Sequence, residues 1–128
     1  MSDEMGTFRV NVEIENPARP GERRLLKSVL VDTGAELSWA PAHVLESLGV
    51  ERNNIERFRQ ADGTILERRT GTVVIYVAGK RVGDEIVFGE PGDLVLLGSR
   101  SLEGLNFRVD ARLRQLVDAG PAPAAVAA

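Results

Sequence analysis

LLKSVLVDTGAELSW, residues 25–39, runs an apolar segment ending in Val29-Leu30-Val31 directly into Asp32-Thr33-Gly34. Its branched side chains suit a strand buried on both faces. An aspartate at the end of such a strand is costly unless it is paired, hydrogen-bonded or used in chemistry. Residues 23–31 therefore read as a central strand, with Thr33 and Gly34 forming a tight turn after Asp32. The Thr33 hydroxyl can bond neighbouring backbone, and Gly34 lets another chain come close. By chance, Asp-Thr-Gly turns up in a chain of this length on the order of 2% of the time, so the triplet alone leaves the role of Asp32 open.

The flanking segments predict a mostly β domain. In TFRVNVEIEN, Phe8, Val10, Val12 and Ile14 alternate with polar residues, the pattern of a half-buried strand. PARPG (17–21) is a turn. APAHVLESLG reads as a short helix, with Pro41 in its first turn and Gly49 as its left-handed cap. ERFRQADGTILERR predicts a hairpin centred on Asp62-Gly63, with both turn residues at positive φ, and GTVVIYVAGKRVGDEIVFG a second hairpin near Ala78-Gly79-Lys80. DLVLLG adds a short strand, a helical turn begins near Ser99, and NFRVD and RQLV end the pattern as two short strands. About seven strands at this spacing, with one or two short helices, point to an all-β sandwich or partly closed barrel.

Composition bounds the function. The chain has 128 residues, a single-domain length, and its net charge of −3 includes no long block of one sign. Nucleic acid and anionic membrane are thus poor partners. Without cysteine there is no disulfide or thiolate chemistry, and a lone His43 argues against a histidine metal site or a serine–histidine nucleophile. No metal or other cofactor is expected. No apolar run reaches the roughly 18 residues of a membrane span, and the acidic N-terminus lacks a signal core, so a soluble, cytoplasmic protein is expected. Residues 1–6 are expected to be a flexible N-terminus, 7–118 the folded domain, and the Ala/Pro-rich 119–128 a disordered tail. Ser38, Ser99 and Ser101 lie near helix starts, where capping is the default.

Of the seven aspartates, Asp3 is terminal, Asp62 a turn former, Asp84 and Asp93 loop residues, and Asp110 and Asp118 close short strands. Asp32 alone follows an apolar strand. One carboxylate cannot efficiently both activate a water and protonate a leaving group. Two at hydrogen-bonding distance can, because repulsion makes them share one proton. This chain holds one such motif, so a pair would need a second copy, which a two-fold homodimer supplies on its axis.

VLVDTGAELSW, then FRQADGTIL, then LVLLGSRSLEGL resemble, in order and spacing, the retropepsin-like aspartic proteases, the retroviral type and its single-domain bacterial relatives. The resemblance spans roughly residues 7–117 and implies a partly closed β-barrel with a flap hairpin over a cleft. It implies Asp32 as the catalytic aspartate, Thr33 interlocking with its mate beneath the dyad, and Gly34 lining the substrate backbone. Ala35 would stand beside Gly34, Glu36 would occupy the place of a structural carboxylate, and Leu30, Leu94 and Leu96 would line side-chain pockets. The hairpin tip, Ala61, Asp62, Gly63 and Thr64, would fold over bound peptide. The implied protein is an aspartic endopeptidase acting as a homodimer on peptide or unfolded protein.

Three departures accompany the match. The flap tip has a single glycine, Ser99 stands between Gly98 and Arg100 where retroviral enzymes place arginine at once, and the tail is a poor interleaving strand. The second departure bears on an ion pair between Arg100 and Glu36. A catalytically inactive retropepsin-like dimerisation or peptide-binding module is the alternative, and a small β domain in which Asp32 only makes a turn is a third reading.

Overall fold

The computed structural model describes residues 7–127. The expectation for residues 1–6 and for Ala128 lies outside them. In chain order the elements are β1 (Phe8–Glu15), β2 (Arg23–Val31), β3 (Ser38–Pro41), α1 (Ala42–Ser47), β4 (Asn54–Arg59), β5 (Ile65–Val77), β6 (Lys80–Gly89), β7 (Leu96–Leu97), α2 (Ser99–Gly104), β8 (Phe107–Asp110) and β9 (Gln115–Asp118).

Seven strands form one sheet in the order β1-β2-β7-β3-β6-β5-β4, and β1 also pairs with β5, which curls the sheet into a partly closed barrel. Strands β8 and β9 pair separately. The two-residue strand β7 slots between β2 and β3: Leu30 pairs with Leu96 and Val31 with Leu97 in parallel, while Trp39 pairs with Leu96 antiparallel. Strand β3, four residues long, has no local sequence signal. It exists because Ser38–Pro41 runs parallel to Ile86–Gly89 on its other side.

The β1–β2 pair contains a bulge that sets up the site. Val10 faces Val29, but Val12 faces Leu26, so Lys27 and Ser28 together oppose Asn11. Ser28 takes φ +57, its N–H bonds to Asn11 Oδ1 at 3.1 Å, and its carbonyl accepts from Arg9 Nη1 at 3.0 Å. A bulge bends its strand and re-aims the residues that follow. Leu25, before it, is exposed, whereas Val29, Leu30 and Val31, after it, are all buried. The core beneath them is built from both sheet halves and the helices, with Ile14, Leu45, Leu48, Val73, Ile75 and Leu97 almost fully enclosed.

Turn chemistry differs from the sequence expectation in one place. At the β4–β5 turn the Gly63 N–H bonds to the Gln60 carbonyl at 2.9 Å, and only Gly63 has positive φ, at +90. This is a type I turn over Ala61-Asp62 closed by a glycine bulge, not a paired positive-φ turn on Asp62-Gly63. The reason is local: Asp62 Oδ1 accepts from the N–H of Thr64 at 2.9 Å and from its hydroxyl at 2.7 Å, an Asx turn. The paired positive-φ turn occurs at β5–β6, where Ala78 and Gly79 sit at +49 and +84 between paired Val77 and Lys80. Helix α1 ends as expected at Gly49, whose φ of +75 permits the bonds Gly49 N–H to Glu46 O and Val50 N–H to Leu45 O. Pro41 is the N-cap of that helix. Residues 119–127 carry no helix or strand, although the Ala119 N–H and the Gly120 carbonyl both bond to Asn106. Among the described residues no helix is long and apolar enough to cross a membrane.

Candidate active site

Asp32 follows the last residue of β2, and its seat is made by backbone. Its N–H donates to the Leu97 carbonyl at 3.0 Å, and its own carbonyl accepts from the Ala35 N–H at 3.2 Å. Its Oδ1 accepts the Gly34 N–H at 2.9 Å. The side chain is half-buried, while Thr33 and Gly34 are exposed. A Cβ on residue 34 would stand 3.2 Å from Asp32 Oδ1, so glycine keeps the carboxylate clear. The turn thus presents one oxygen held by an amide and leaves the other available.

Helix α2 supports this turn from below. The N–H groups of Ser99 and Arg100, without partners inside their helix, donate to the carbonyls of Ala35 and Glu36 at 2.8 and 3.1 Å. Gly98 makes that approach possible: a Cβ there would lie 2.6 Å from the Leu37 carbonyl oxygen and 2.8 Å from that of Glu36.

The serines do not cap. The Gly98 N–H donates to Ser38 Oγ at 2.9 Å, Ser38 and Ser101 meet hydroxyl to hydroxyl at 2.6 Å, and Ser101 Oγ donates to Asp84 Oδ2 at 2.8 Å. Because the Ser101 proton goes to Asp84, the Ser38 proton goes to Ser101, and the relay has one direction. Asp84 lies on β6, its side chain 7% exposed, and Arg100 Nη2 reaches its Oδ1 at 3.3 Å. The arginine after Leu96-Leu97-Gly98 therefore pairs with Asp84. With Ser99 intervening, it leaves the α2 turn on the side of β6, and Glu36 stays exposed without an ion pair among the described residues.

A cleft of about 570 Å³ opens beside the Asp32 turn, lined by Gly34–Leu37 and Trp39 on one side, Glu56–Gln60 and Leu66 from the β4–β5 hairpin on another, and Gly92, Asp93, Leu94 and Leu96 on a third. Trp39 and Phe58 tilt together across it, ring centroids 4.9 Å apart, so the hairpin is anchored to the wall by an aromatic pair. The Gly34, Ala35, Glu36, Leu94 and Leu96 positions singled out from sequence meet here. Leu30 is buried within the sheet; it, the tip residues Ala61, Asp62, Gly63 and Thr64, and also Asp32 and Thr33, which sit just before the lining segment, are not among the lining residues. At the tip, the Thr64 hydroxyl and N–H hold the Asp62 carboxyl below the usual carboxylate range.

Sequence reasoning missed Trp39, Phe58 and Leu66 as lining residues, and Asp84, Asp93 and Arg68 as their supports. Phe58 and Leu66 face each other across the hairpin, a pairing readable from the hairpin register. Asp84 and Asp93 carried no signal, since each acts through a partner distant in sequence.

The strand inserted between β2 and β3, the Asp-Thr-Gly turn and the β4–β5 hairpin are those of a retropepsin-like fold. No family model and no curated sequence matches the chain. Among solved structures, it is similar to the simian foamy virus protease in solution, at 21% identity and a TM-score of 0.50, covering 74% of this chain and 91% of that one. It is also similar to a retropepsin-like aspartic protease from Rickettsia conorii, at 19% identity and a TM-score of 0.46, covering 86% of this chain and 89% of that one.

Proposed function

We propose that the protein is an aspartic endopeptidase that works as a homodimer, with Asp32 of each copy facing the other on the two-fold axis. The observation that carries this reading is the seat of Asp32: a half-buried carboxylate at a strand end, fixed by the Leu97 carbonyl and the Gly34 amide, two residues before the Gly34–Leu37 segment that lines the cleft. Among the described residues the Asp32 carboxylate bonds only the Gly34 amide and forms no ion pair, and a symmetry mate would supply the acid–base partner.

In this mechanism a water held between the two carboxylates attacks the peptide carbonyl. The ionised Asp32 takes the water's proton as the protonated one donates to the carbonyl oxygen; proton return to the amide nitrogen then lets the C–N bond break. The pair titrates as a unit because two like charges at contact distance share one proton. Residues 7–118 form the working unit, and its chemistry calls for no metal or organic cofactor. Thr33 ties the two turns together beneath the pair, and Gly34 lets the substrate backbone approach. The substrate lies extended, its backbone pairing like an added strand between the cleft floor and the Ala61–Thr64 tip of the flap, its side chains against Leu94, Leu96, Trp39 and Phe58. Leu30 backs the floor from within the sheet, and Ala35 and Glu36 border the substrate path.

The experiment is hydrolysis of fluorescein-labelled casein by wild type and Asp32→Asn across mildly acidic to neutral pH. Cleavage by wild type alone is expected. Equal cleavage by both contradicts the catalytic assignment, and no cleavage by a dimeric wild type selects the inactive peptide-binding module.

A further inference from the structure

Arg68 lies on β5, outside the Asp32 turn, with its side chain 14% exposed. Its guanidinium makes two parallel bonds to Asp93, Nε to Oδ2 at 2.7 Å and Nη2 to Oδ1 at 3.0 Å, and its Nη1 sits 3.6 Å from Glu90 Oε1. Asp93, 17% exposed, also closes its own turn: its N–H donates to the Glu90 carbonyl at 2.9 Å, and its Oδ2 accepts the Glu90 N–H at 2.7 Å. Forked arginine–carboxylate pairs of this kind fix geometry as well as adding energy.

The placement gives the pair a task. On the flap hairpin Arg68 stands opposite Glu56, two residues along β5 from Leu66, and Glu56 and Leu66 both line the cleft. On the other side, Asp93 is followed directly by Leu94, 59% exposed on the cleft wall. Behind Gly92-Asp93-Leu94 lies a second hollow of about 500 Å³, walled by Pro41, Ala42, Pro91 and Val95. The segment is thus a thin partition with space on both faces, and the forked ion pair ties it to the flap strand.

We propose that Arg68 is a positioning residue: through Asp93 it fixes the Leu94 partition relative to the flap hairpin, and so sets the width of the cleft and the side chains it accepts. The turnover readout of this inference rests on the peptidase reading; its binding readout does not.

The test uses the full chain, as wild type and as Asp32→Asn, each carrying Arg68→Met, Arg68→Lys or Asp93→Asn. The probes are internally quenched decapeptides with a Leu-Phe or an Ala-Ala centre. Calorimetry on the Asp32→Asn proteins gives Kd, and hydrolysis by the others gives KM and kcat. Arg68→Met is expected to raise Kd and KM for the Leu-Phe peptide roughly tenfold, the middle of the range for coupled neighbours, with kcat within about twofold. Its preference for Leu-Phe over Ala-Ala falls with it. Arg68→Lys recovers part of the loss, because it restores the charge but not the fork. Should Arg68→Met fail to fold, Arg68→Lys and Asp93→Asn decide the matter by the same readouts. Unchanged Kd and preference in the variants overturn the inference, as does a fall in kcat at constant KM, or a parent that binds neither peptide. A parent that binds the Leu-Phe peptide without hydrolysing it contradicts the peptidase reading alone, and Kd still decides the role of Arg68.

Discussion

Ser38 and Ser101, 63 positions apart in the chain, meet hydroxyl to hydroxyl at 2.6 Å in the interior beneath the Asp32 turn. Their relay joins the Gly98 amide at one end to the Asp84 carboxylate at the other. It locks β3, β6 and the start of α2 together, and the neighbouring Leu97 carbonyl is the acceptor that holds the Asp32 amide.

Removing the first hydroxyl tests the relay. Ser38→Ala leaves the Gly98 N–H and the Ser101 hydroxyl without their partner in a buried site, and is expected to lower the unfolding free energy by about 2 kcal/mol. Urea denaturation with an unchanged m-value is the check. A loss below about 0.5 kcal/mol, the range of ordinary surface substitutions, would remove the relay from the account.

Gly98 is required by space. Gly98→Ala drives a methyl to 2.6 Å from the Leu37 carbonyl oxygen, which forces β3 and α2 apart. Overpacking of this kind costs about 1–3 kcal/mol. Thermal unfolding should show a lowered Tm, and casein hydrolysis should fall at temperatures where the variant is still folded, because the same shift moves the Asp32 seat.

The β5–β6 turn offers the opposite sign. Ala78 occupies φ +49 in an exposed position where asparagine is the favoured residue. Ala78→Asn is expected to stabilise the fold by about 0.5–1 kcal/mol, with no change in hydrolysis, since the turn lies outside the cleft. A fall in Tm would contradict the turn assignment.

Asp93 gives the acid limb. The hydrogen bonds from Arg68 hold its carboxyl below the ordinary value, against burial that pushes it up, with the Glu90 N–H assisting. A carboxyl depressed in the folded state contributes stability that is full above its unfolded value of about 3.9 and is lost as pH falls through the folded value. Stability of the wild type should therefore decline below about pH 4. Asp93→Asn should be less stable than wild type near neutrality, and the gap should narrow on acidification. Urea midpoints measured over that range test it; a gap independent of pH would mean that the charge contributes nothing.

The parts of the fold legible in the sequence are those written in local patterns. Alternation in Phe8–Ile14, the apolar run into Asp32, the Gly49 cap and the two hairpins all depend on neighbours within a few residues, and each element formed where its pattern lies. Strand β3 was illegible because its four residues become a strand only between Leu96 and Ile86–Gly89, contacts made far along the chain. The Ser28 bulge was hidden for a similar reason: it is stabilised by Asn11 and Arg9 on the opposite strand. Of the residues that line the cleft, Gly34, Ala35 and Glu36 stand out in the sequence through the Asp-Thr-Gly-Ala stretch, and Leu94 and Leu96 through the resemblance of the Leu-Leu-Gly stretch. The choice of Asp84 by Arg100, and the clamp of Arg68 on Asp93, depend on side-chain directions that no spacing encodes.

Whether two Asp32 carboxylates meet, as proposed, is decided by a crystal structure of the assembled protein in solution-matched conditions, read for the separation of the Asp32 side chains of two copies. A two-fold dimer is expected, with the nearest carboxylate oxygens within about 3 Å, the distance at which like charges must share a proton. A monomer, or a dimer that keeps the two Asp32 side chains apart on separate faces, would contradict it.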